Sequence, residues 1–419
     1  MSNSWKLAVD GGEKVRTAPF PNTNDIHGRR IGAEEEALVL EVLRSGSLNR
    51  TIVSNGKVEQ FERAFEAWVG ARHAVASTSG TSALHLAVAA INPNPGDEII
   101  VTPISDGGSV IPILAQNAIP VFADIDPETW NMDPESVRAN ITDRTCAIMV
   151  VHLFGRPAYM DAMLAISKEF NIPIIEDCSQ AYGATWRGKK VGTLGDIGCF
   201  SMQQSKHMTA GDGGVTITNN DDLARRMRYF SDKGWPRDTN ERTHLFLGLN
   251  YRMTELQGAV ALAQLDKLDG VIGSRQQIVR HIEEEAGTLP GLKLQKLPEY
   301  ATSVHWLYPI NFDPESTTVD LQTFAKAMAA EGVGLGAGYV RPLYFTPMLA
   351  EANTYGDSHF PFDSPYTSRS YEDYKEGLCP VAESMQQSMF ILSINENYTN
   401  EDANDIVEAL VKVSKAYAK

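Results

Sequence analysis

The sequence predicts an α/β protein with a mostly parallel, seven-stranded sheet flanked by helices, followed by a smaller α+β domain. Between residues 58 and 270, short β-branched apolar runs recur between segments with helical spacing. The runs lack clean polar alternation, which is typical of strands covered on both faces. This regularity ends near Gly270, where long loops rich in proline and aromatic residues begin.

The predicted elements follow in chain order. The first helix carries apolar residues at helical spacing (Val58, Phe61, Phe65 and Trp68), and Gly70 ends it. Thr399 is the predicted N-cap of the last helix. Further helices are predicted at 83–91, 158–170, 252–268 and 400–417, and strands at 73–77, 98–103, 120–125, 146–155, 172–177, 199–202 and 215–218.

The length of 419 residues is more than one simple core accommodates, so two domains are expected. We place a large cofactor-binding domain, with the N-terminal segment, at residues 1–270. The small C-terminal α+β domain is placed at residues 271–419. No internal repeat or low-complexity tract interrupts either part.

The composition excludes several classes of function. A net charge of −16, without long runs of Lys or Arg, argues against binding to nucleic acid or to an anionic membrane. The four cysteines form no CxxC pair, so neither a zinc site nor a disulfide framework is expected, and no metal is predicted. The N-terminal MSNSWKLAVDGG lacks an apolar signal region, and no run approaches 18 apolar residues. These features predict a soluble, cytoplasmic protein.

Two residues carry the predicted chemistry. Lys206 lies between an apolar strand and the glycine cluster at 211–214, and Asp177 ends the run IPIIED. A lysine beside a buried loop can lose its proton and form a Schiff base with an aldehyde. A carboxylate at the carboxyl end of a strand can hold a protonated pyridine nitrogen. Together they predict pyridoxal phosphate (PLP) chemistry.

Other positions fit the same cofactor. The turn containing Gly80 and Thr81 opens a helix, where free N–H groups favour a phosphate, and Ser201 could add a hydroxyl. Gln180 could donate to the phenolate oxygen of the ring. Each feature has an ordinary explanation, since such turns usually only begin helices and most lysines are surface charges. The order in which they occur together favours the cofactor site.

Three segments, EDCSQAYGA, GDIGCFSMQQSKHMTAGDGG and LNYRMTELQGAVALAQL, resemble the DegT-type sugar aminotransferases, which are fold type I PLP enzymes. The resemblance covers nearly the whole chain. It implies that Lys206 binds the cofactor covalently and that Asp177 binds its pyridine nitrogen, both as catalytic residues. The other cofactor-binding positions that it implies are Gly80, Thr81, Gln180, Ser201 and Asn250.

The resemblance also implies partners. Asn250 would reach the phosphate of the neighbouring subunit, which implies a homodimer with shared active sites. The amino donor would be glutamate or glutamine, and the acceptor a keto sugar or keto-cyclitol. Lys206 argues for transamination, because relatives that remove sugar hydroxyls carry histidine at that position.

One segment departs from the family pattern. Gly107 and Gly108 occupy the place where an aromatic side chain usually stacks on the cofactor ring. The pocket therefore has a different shape, or another side chain covers the ring. Substrate identity does not transfer across this difference.

Alternatives remain open at the level of sequence. One is a PLP-dependent lyase, dehydratase or epimerase, and another is a non-catalytic PLP-binding regulator. A nucleotide-binding α/β protein has less support, because no GxGxxG or Walker loop is present. His207 competes as an acid or base, although a histidine beside a glycine loop is more often structural. Candidate arginines for a nucleotide diphosphate on the acceptor are Arg29, Arg30, Arg50, Arg237 and Arg341, which the sequence does not distinguish from ordinary surface arginines.

Overall fold

The computed structural model describes residues 6–419, so residues 1–5 of the predicted large domain lie outside it. The helices are α1 Ala33–Ser45, α2 Lys57–Val69, α3 Gly80–Ile91, α4 Ile111–Ala115, α5 Pro134–Ala139, α6 Met160–Phe170, α7 Asp221–Phe230, α8 Glu255–Ala286, α9 Leu321–Ala330, α10 Pro347–Ala350, α11 Pro380–Ser384 and α12 Asn400–Tyr417. The strands are β1 His73–Ser77, β2 Glu98–Val101, β3 Ile119–Phe122, β4 Thr145–Val151, β5 Ile174–Asp177, β6 Thr185–Trp186, β7 Lys189–Lys190, β8 Ile197–Ser201, β9 Gly214–Thr218, β10 Leu292–Leu294, β11 Ala301–Thr302, β12 Leu307–Phe312, β13 Leu335–Ala337 and β14 Met389–Ser393.

The central sheet has seven strands in the order β1-β9-β8-β5-β4-β2-β3. Strand β9 runs antiparallel to both of its neighbours, and all other adjacent pairs are parallel. The predicted mostly parallel, seven-stranded sheet is therefore confirmed. The antiparallel strand has a consequence for the site, because β9 begins at the same edge at which β8 ends, so the connection between them stays at that edge.

Helices cover both faces of this sheet. Helices α3, α4 and α7 pack on one face, where the side chains of Val75, Val101 and Ile175 are buried. Helices α2, α5, α6 and the first half of α8 pack on the other face. Burial on both faces explains why the strands lack polar alternation. Across residues 6–419, no helix has both the length and the apolar character that crossing a bilayer requires.

The C-terminal part has its own core. Its antiparallel sheet has the order β10-β12-β14-β13, and it packs against α9, α12 and the second half of α8. Strands β11, β6 and β7 form a further small sheet. The predicted smaller α+β unit is present.

Helix α8 is longer than predicted. The sequence suggested an end near Leu268, but the helix continues to Ala286. Gly270 and Gly273 each cost a helix about 1 kcal/mol, yet burial of Ile272 and Ile278 in the two cores offsets this cost. Residue 270 therefore lies inside one continuous helix. The division of the chain at that residue remains a prediction.

The N-terminal segment packs on the C-terminal part of the chain. Leu7 is buried in the core of that part, and Arg16 forms ion pairs of 2.7 Å with Asp402 and Asp405. The prediction grouped this segment with residues 1–270. The partners that hold it are far away in the sequence, 323 residues for the Glu331 carboxylate that accepts the Ala8 N–H and 389 residues for Asp405, so local pattern gives no signal.

Strand β4 ends earlier than the predicted residue 155. It stops at Val151, and a short 3₁₀ turn follows at Leu153–Gly155. Phe154 and Gly155 have φ values of 61° and 89°, which lie in the left-handed region and do not continue a strand. The turn places the Phe154 N–H at the carboxyl edge of the sheet, where it contacts a predicted site residue.

Replacing Phe65 by alanine should lower the free energy of unfolding by about 3–5 kcal/mol. Phe65 is fully buried, and its ring centroid lies 5.2 Å from that of Phe200 on the sheet and 5.7 Å from that of Phe61. Urea denaturation followed by circular dichroism measures the change. Phe170→Ala, at a side chain that is 40% exposed, is the matched control and should cost less than about 1 kcal/mol. Equal losses for both variants would contradict this account of the core.

Candidate active site

The register of three strands builds one edge of the site. Gly214 of β9 pairs with both Ser77 of β1 and Ser201 of β8, so these strands are aligned at this edge. The connection between β8 and β9, residues 202–213, is therefore a loop above the edge, and it carries Lys206. A cavity of about 650 Å³ lies here, between the sheet edge and loops of the C-terminal part.

Six of the seven predicted site residues line this one cavity. They are Gly80, Thr81, Asp177, Gln180, Ser201 and Lys206. The seventh, Asn250, is exposed and does not line it. Six predicted site residues that are far apart in the sequence therefore lie around one cavity, and Asn250 lies outside it.

Helix α3 presents its N-terminus to the cavity. The Ser79 side chain caps it by accepting the Ser82 N–H at 3.0 Å, and the Ser82 hydroxyl oxygen accepts the Ser79 N–H at 2.8 Å. Within the described chain, the N–H groups of Gly80 and Thr81 have no hydrogen-bond acceptor. Two free donors and the positive end of the helix dipole make this corner suitable for a phosphate.

Glycine is required at two close approaches beside this corner. A Cβ on Gly80 would lie 2.4 Å from the Cβ of Ser201. A Cβ on Gly214 would lie 2.1 Å from the carbonyl oxygen of Ser79. The helix can therefore meet the edges of β8 and β9 only because these two side chains are absent.

Asp177 ends β5 as a buried carboxylate, only 4% exposed. Its Oδ2 accepts the hydroxyl of Ser109 at 2.8 Å, and its Oδ1 accepts the Ser179 N–H at 3.1 Å. Both donors are neutral, and no arginine, lysine or histidine of residues 6–419 forms an ion pair with it. A buried carboxylate held only by neutral donors is suited to a cationic ligand group.

Gln180 is fixed by the turn that ends β4. Its Oε1 accepts the backbone N–H of Phe154 at 2.7 Å, and its side chain is buried. Since the carbonyl end of the amide is used in this way, its NH₂ group is the end available to donate in the cavity. This agrees with the predicted donor role.

Lys206 is half-buried beside an indole. Its Nζ lies 3.9 Å from the ring centroid of Trp306, whose N–H donates to the carbonyl of Ser205 at 2.9 Å. Burial lowers the pKa of Lys206 to about 8, against opposing contributions from Asp177 and Asp106. Such an amine is partly neutral near pH 7, as a nucleophile or a proton acceptor must be.

The residues around Gly107 and Gly108 form a 3₁₀ turn that lines the cavity. Asp106 caps it, its Oδ1 accepting the Gly108 N–H at 2.8 Å. Its carboxylate is exposed in the cavity and acts electrostatically on Lys206 and on Tyr339. Asp106 was not predicted from the sequence as a site residue, although it is adjacent to Gly107 and Gly108, where the sequence departs from the family pattern.

Three further residues were missed because their partners are distant in sequence. Ser109 is 68 positions before the Asp177 that it contacts. Trp306 and Tyr339 are the aromatic side chains that line the cavity, and both come from loops of the C-terminal part. Burial, and next the charge of Asp106, raise the pKa of Tyr339 to about 12, so that its hydroxyl stays protonated.

His207 does not line the cavity. It is fully buried, and its Nε2 donates to the carbonyl of Val304 at 2.9 Å. Burial holds its pKa well below the usual value, so the ring is neutral. This favours the structural interpretation of the histidine.

Four of the five candidate arginines are engaged elsewhere. They do not line the cavity, whereas Arg341 does. The four contacts are Arg29 with the carboxylate of Glu396, Arg30 with the hydroxyl of Ser274, Arg50 with Glu62, and Arg237 with Asp232.

A buried cluster behind the sheet edge has the residue types of a metal site. The candidate ligand atoms of His152, Glu176 and Cys178 lie within 4.8 Å of one another. His152 donates from Nε2 to Glu176 at 2.9 Å and accepts the Ala158 N–H at Nδ1. Glu176 also accepts three backbone N–H groups from residues 192–195. These hydrogen bonds give the imidazole and the carboxylate a structural role, which is to hold β5 and the loop at residues 192–195 together.

Comparison with known proteins identifies relatives over most of the chain. Residues 29–370 match the DegT/DnrJ/EryC1/StrS aminotransferase family. The chain is 40% identical to a GDP-perosamine synthase of Caulobacter vibrioides, over 78% of this chain and 86% of that protein. It is 35% identical to an L-glutamine:2-deoxy-scyllo-inosose aminotransferase of Streptomyces lividus, over 97% of each.

Solved structures share the fold. An aminotransferase from Psychrobacter cryohalolentis superposes with a TM-score of 0.82 at 28% identity, covering 96% of this chain and 99% of that one. A 3-amino-5-hydroxybenzoic acid synthase gives 0.80 at 28% identity, over 96% and 100%. The predicted fold class is confirmed by these neighbours. The chain belongs to the DegT/DnrJ/EryC1/StrS aminotransferase family.

Proposed function

We propose that this chain transfers an amino group from glutamate or glutamine to a keto sugar or keto-cyclitol, with PLP as its cofactor. The observation that carries the proposal is the pairing, in one cavity, of a lysine whose pKa is lowered to about 8 with a buried carboxylate that has no ion-pair partner. A perturbed amine and an uncompensated acid in one cleft are typical of a catalytic site.

The residues present fit PLP at each of its polar groups. The free N–H groups of Gly80 and Thr81, with the hydroxyl of Ser201, match a phosphate. The uncompensated Asp177 matches a protonated pyridine nitrogen, and the NH₂ group of Gln180 matches a phenolate oxygen. The fit requires no rearrangement of charge, since Asp177 has no ion-pair partner and the N–H groups of Gly80 and Thr81 have no acceptor within residues 6–419.

Bound PLP would supply an electron-withdrawing ring that stabilises negative charge at a substrate carbon. The chain does the rest. Lys206 would hold the ring, and its Nζ would take the proton from the α-carbon of the amino donor. Asp177 would keep the ring nitrogen protonated, and Ser109 holds that carboxylate in place. Trp306 covers Lys206 from the side of the C-terminal part.

The proposed substrates are inferred from the names of the relatives and from the residues that line the cavity. One relative is named for GDP-perosamine and another for an L-glutamine-dependent amination of a deoxy-inosose. Many of the side chains that line the cavity are polar, among them Asp106, Gln203 and Thr346. Hydroxyl, amide and carboxylate groups are the partners that a polyhydroxylated ring requires.

We also propose that two copies share their sites through the segment around Asn250. Asn250 is exposed and lies outside the cavity of its own chain. The same segment exposes Leu245 to 52% and Leu247 to 89%, an apolar surface that a second copy would bury. In that arrangement Asn250 binds the phosphate in the partner's site.

The reaction should depend on Lys206 and on the amino donor together. Purified protein with PLP, given glutamate or glutamine and a panel of keto-cyclitols and nucleotide keto-sugars, should yield an aminated product and an oxo acid by mass spectrometry. Lys206→Ala should give no product, because the proton carrier is gone. Product that forms without a donor would instead favour a lyase, dehydratase or epimerase.

The free amine of Lys206 should titrate near pH 8 in the apoprotein, far below the ordinary 10.5 of lysine. Labelling by acetic anhydride should therefore rise with pH around 8 at position 206, as read by peptide mass spectrometry against the other lysines. Asp106→Asn should move this midpoint to lower pH, because the Asp106 carboxylate favours the charged amine. A midpoint near 10, or an upward shift in the variant, would show that burial does not control this amine.

Mixing two inactive variants should restore activity. If Asn250 acts in the partner's site, a hybrid of Lys206→Ala and Asn250→Ala subunits has one site with both residues intact. Random reassociation should then recover about a quarter of wild-type activity, since half of the dimers are hybrids and half of their sites are complete. Each variant refolded alone is the control. No recovery in verified hybrids would place Asn250 in the site of its own chain or outside both.

A further inference from the structure

Arg341 is a guanidinium with free donors on the cavity wall. Its Cζ lies 4.7 Å from the ring centroid of Phe345, and the side chain is exposed. No carboxylate in residues 6–419 forms an ion pair with it, and none of its N–H groups has a hydrogen-bond acceptor there. Stacking on a ring orients a guanidinium while leaving its N–H edge available.

The loop that carries Arg341 is fixed to the rest of the site. The Leu343 N–H donates to the carbonyl of Pro103 at 2.8 Å, which ties the loop to the segment after β2. On the other side of Arg341, the ring of Tyr339 packs edge-on against Phe154 with centroids 4.9 Å apart. The guanidinium therefore projects from a segment held at both ends.

The charged residues that line the cavity indicate which of them is available to an anionic group of a substrate. Its acidic residues are Asp106, Asp177 and Asp212, and its cationic residues are Lys206 and Arg341. Lys206 is reserved for the cofactor and for proton transfer in the proposed function. Arg341 is then the cation on this chain's cavity wall that is available to a negatively charged group of a substrate.

We propose that Arg341 binds a substrate oxyanion and is a specificity-determining residue of this cavity. The inference rests on the proposed function, which brings two sources of such a group. One is a carboxylate of the amino-acid donor, and the other is a phosphate attached to the acceptor. Both present oxygens that a planar guanidinium can bind through two N–H groups.

Binding of inert probes to the holoenzyme tests the proposal. Glutarate represents the donor carboxylates without an amine, and inorganic pyrophosphate represents a phosphorylated acceptor. Calorimetry should give a dissociation constant at least about tenfold higher in Arg341→Gln for one of the two probes. The dissociation constant of Arg341→Lys should lie between those of wild type and Arg341→Gln. Lysine keeps the positive charge but lacks the two parallel N–H groups of the guanidinium.

A matched control separates the site from a general change in charge. Arg138 also lies over a ring, that of Phe170 at 5.6 Å, and it does not line the cavity. Arg138→Gln should leave both dissociation constants unchanged. The visible absorbance of the bound cofactor and the thermal midpoint show whether each variant is folded and loaded.

The two sources give different results. Weaker glutarate binding, with a higher glutamate concentration needed for the donor half-reaction, identifies the donor carboxylate. Weaker pyrophosphate binding with unchanged glutarate binding identifies an acceptor phosphate. Unchanged binding of both probes in a folded, loaded Arg341→Gln overturns the proposal. Failure of the wild-type protein to bind PLP at Lys206 would instead overturn the proposed function.

Discussion

The buried carboxylate of Asp177 is the constraint on which the rest of the site depends. It lies at the end of a strand with 4% exposure, held only by the Ser109 hydroxyl and the Ser179 N–H. A buried carboxylate without an ion-pair partner costs several kcal/mol, so the arrangement favours the binding of a cation beside it. In the proposed function that cation is the pyridine nitrogen of PLP, which would link the fold of this edge to the cofactor.

The second constraint is steric, and it acts at the start of the antiparallel strand β9. Gly214 pairs with both Ser77 and Ser201, and its missing side chain admits the carbonyl of Ser79. This alignment brings the N-terminus of α3 and the loop of Lys206 to the same place. In a purely parallel sheet the chain after β8 would leave this edge through a crossover. The return through β9 keeps the lysine above the strand ends.

Residues placed in the site by local sequence could be predicted as candidates, whereas residues placed there by distant contacts could not. Lys206, Asp177 and Gln180 stand beside strands that could be recognised by their apolar runs, and the structure brings all three to one cavity. Trp306 meets a lysine 100 positions before it, and no local pattern marks that contact. The length of α8 was also missed, because two glycines weaken the helical pattern that packing in both cores restores.

The two halves of the cavity come from different parts of the fold. In the proposed function, one half carries the reacting groups and the other half selects the substrate. The sheet edge supplies the lysine, the carboxylate and the phosphate corner, all fixed by strand register. The facing half comes from the turn at Gly107–Ser109 and the loop around Arg341, tied to each other through Pro103. These two segments also hold buried residues, since Ser109 contacts Asp177 and Leu343 packs in the core, so only their exposed side chains can change without disturbing the sheet edge. Asp106 and Arg341 are such exposed side chains, and in the proposed function they would set the charge pattern that a substrate must match.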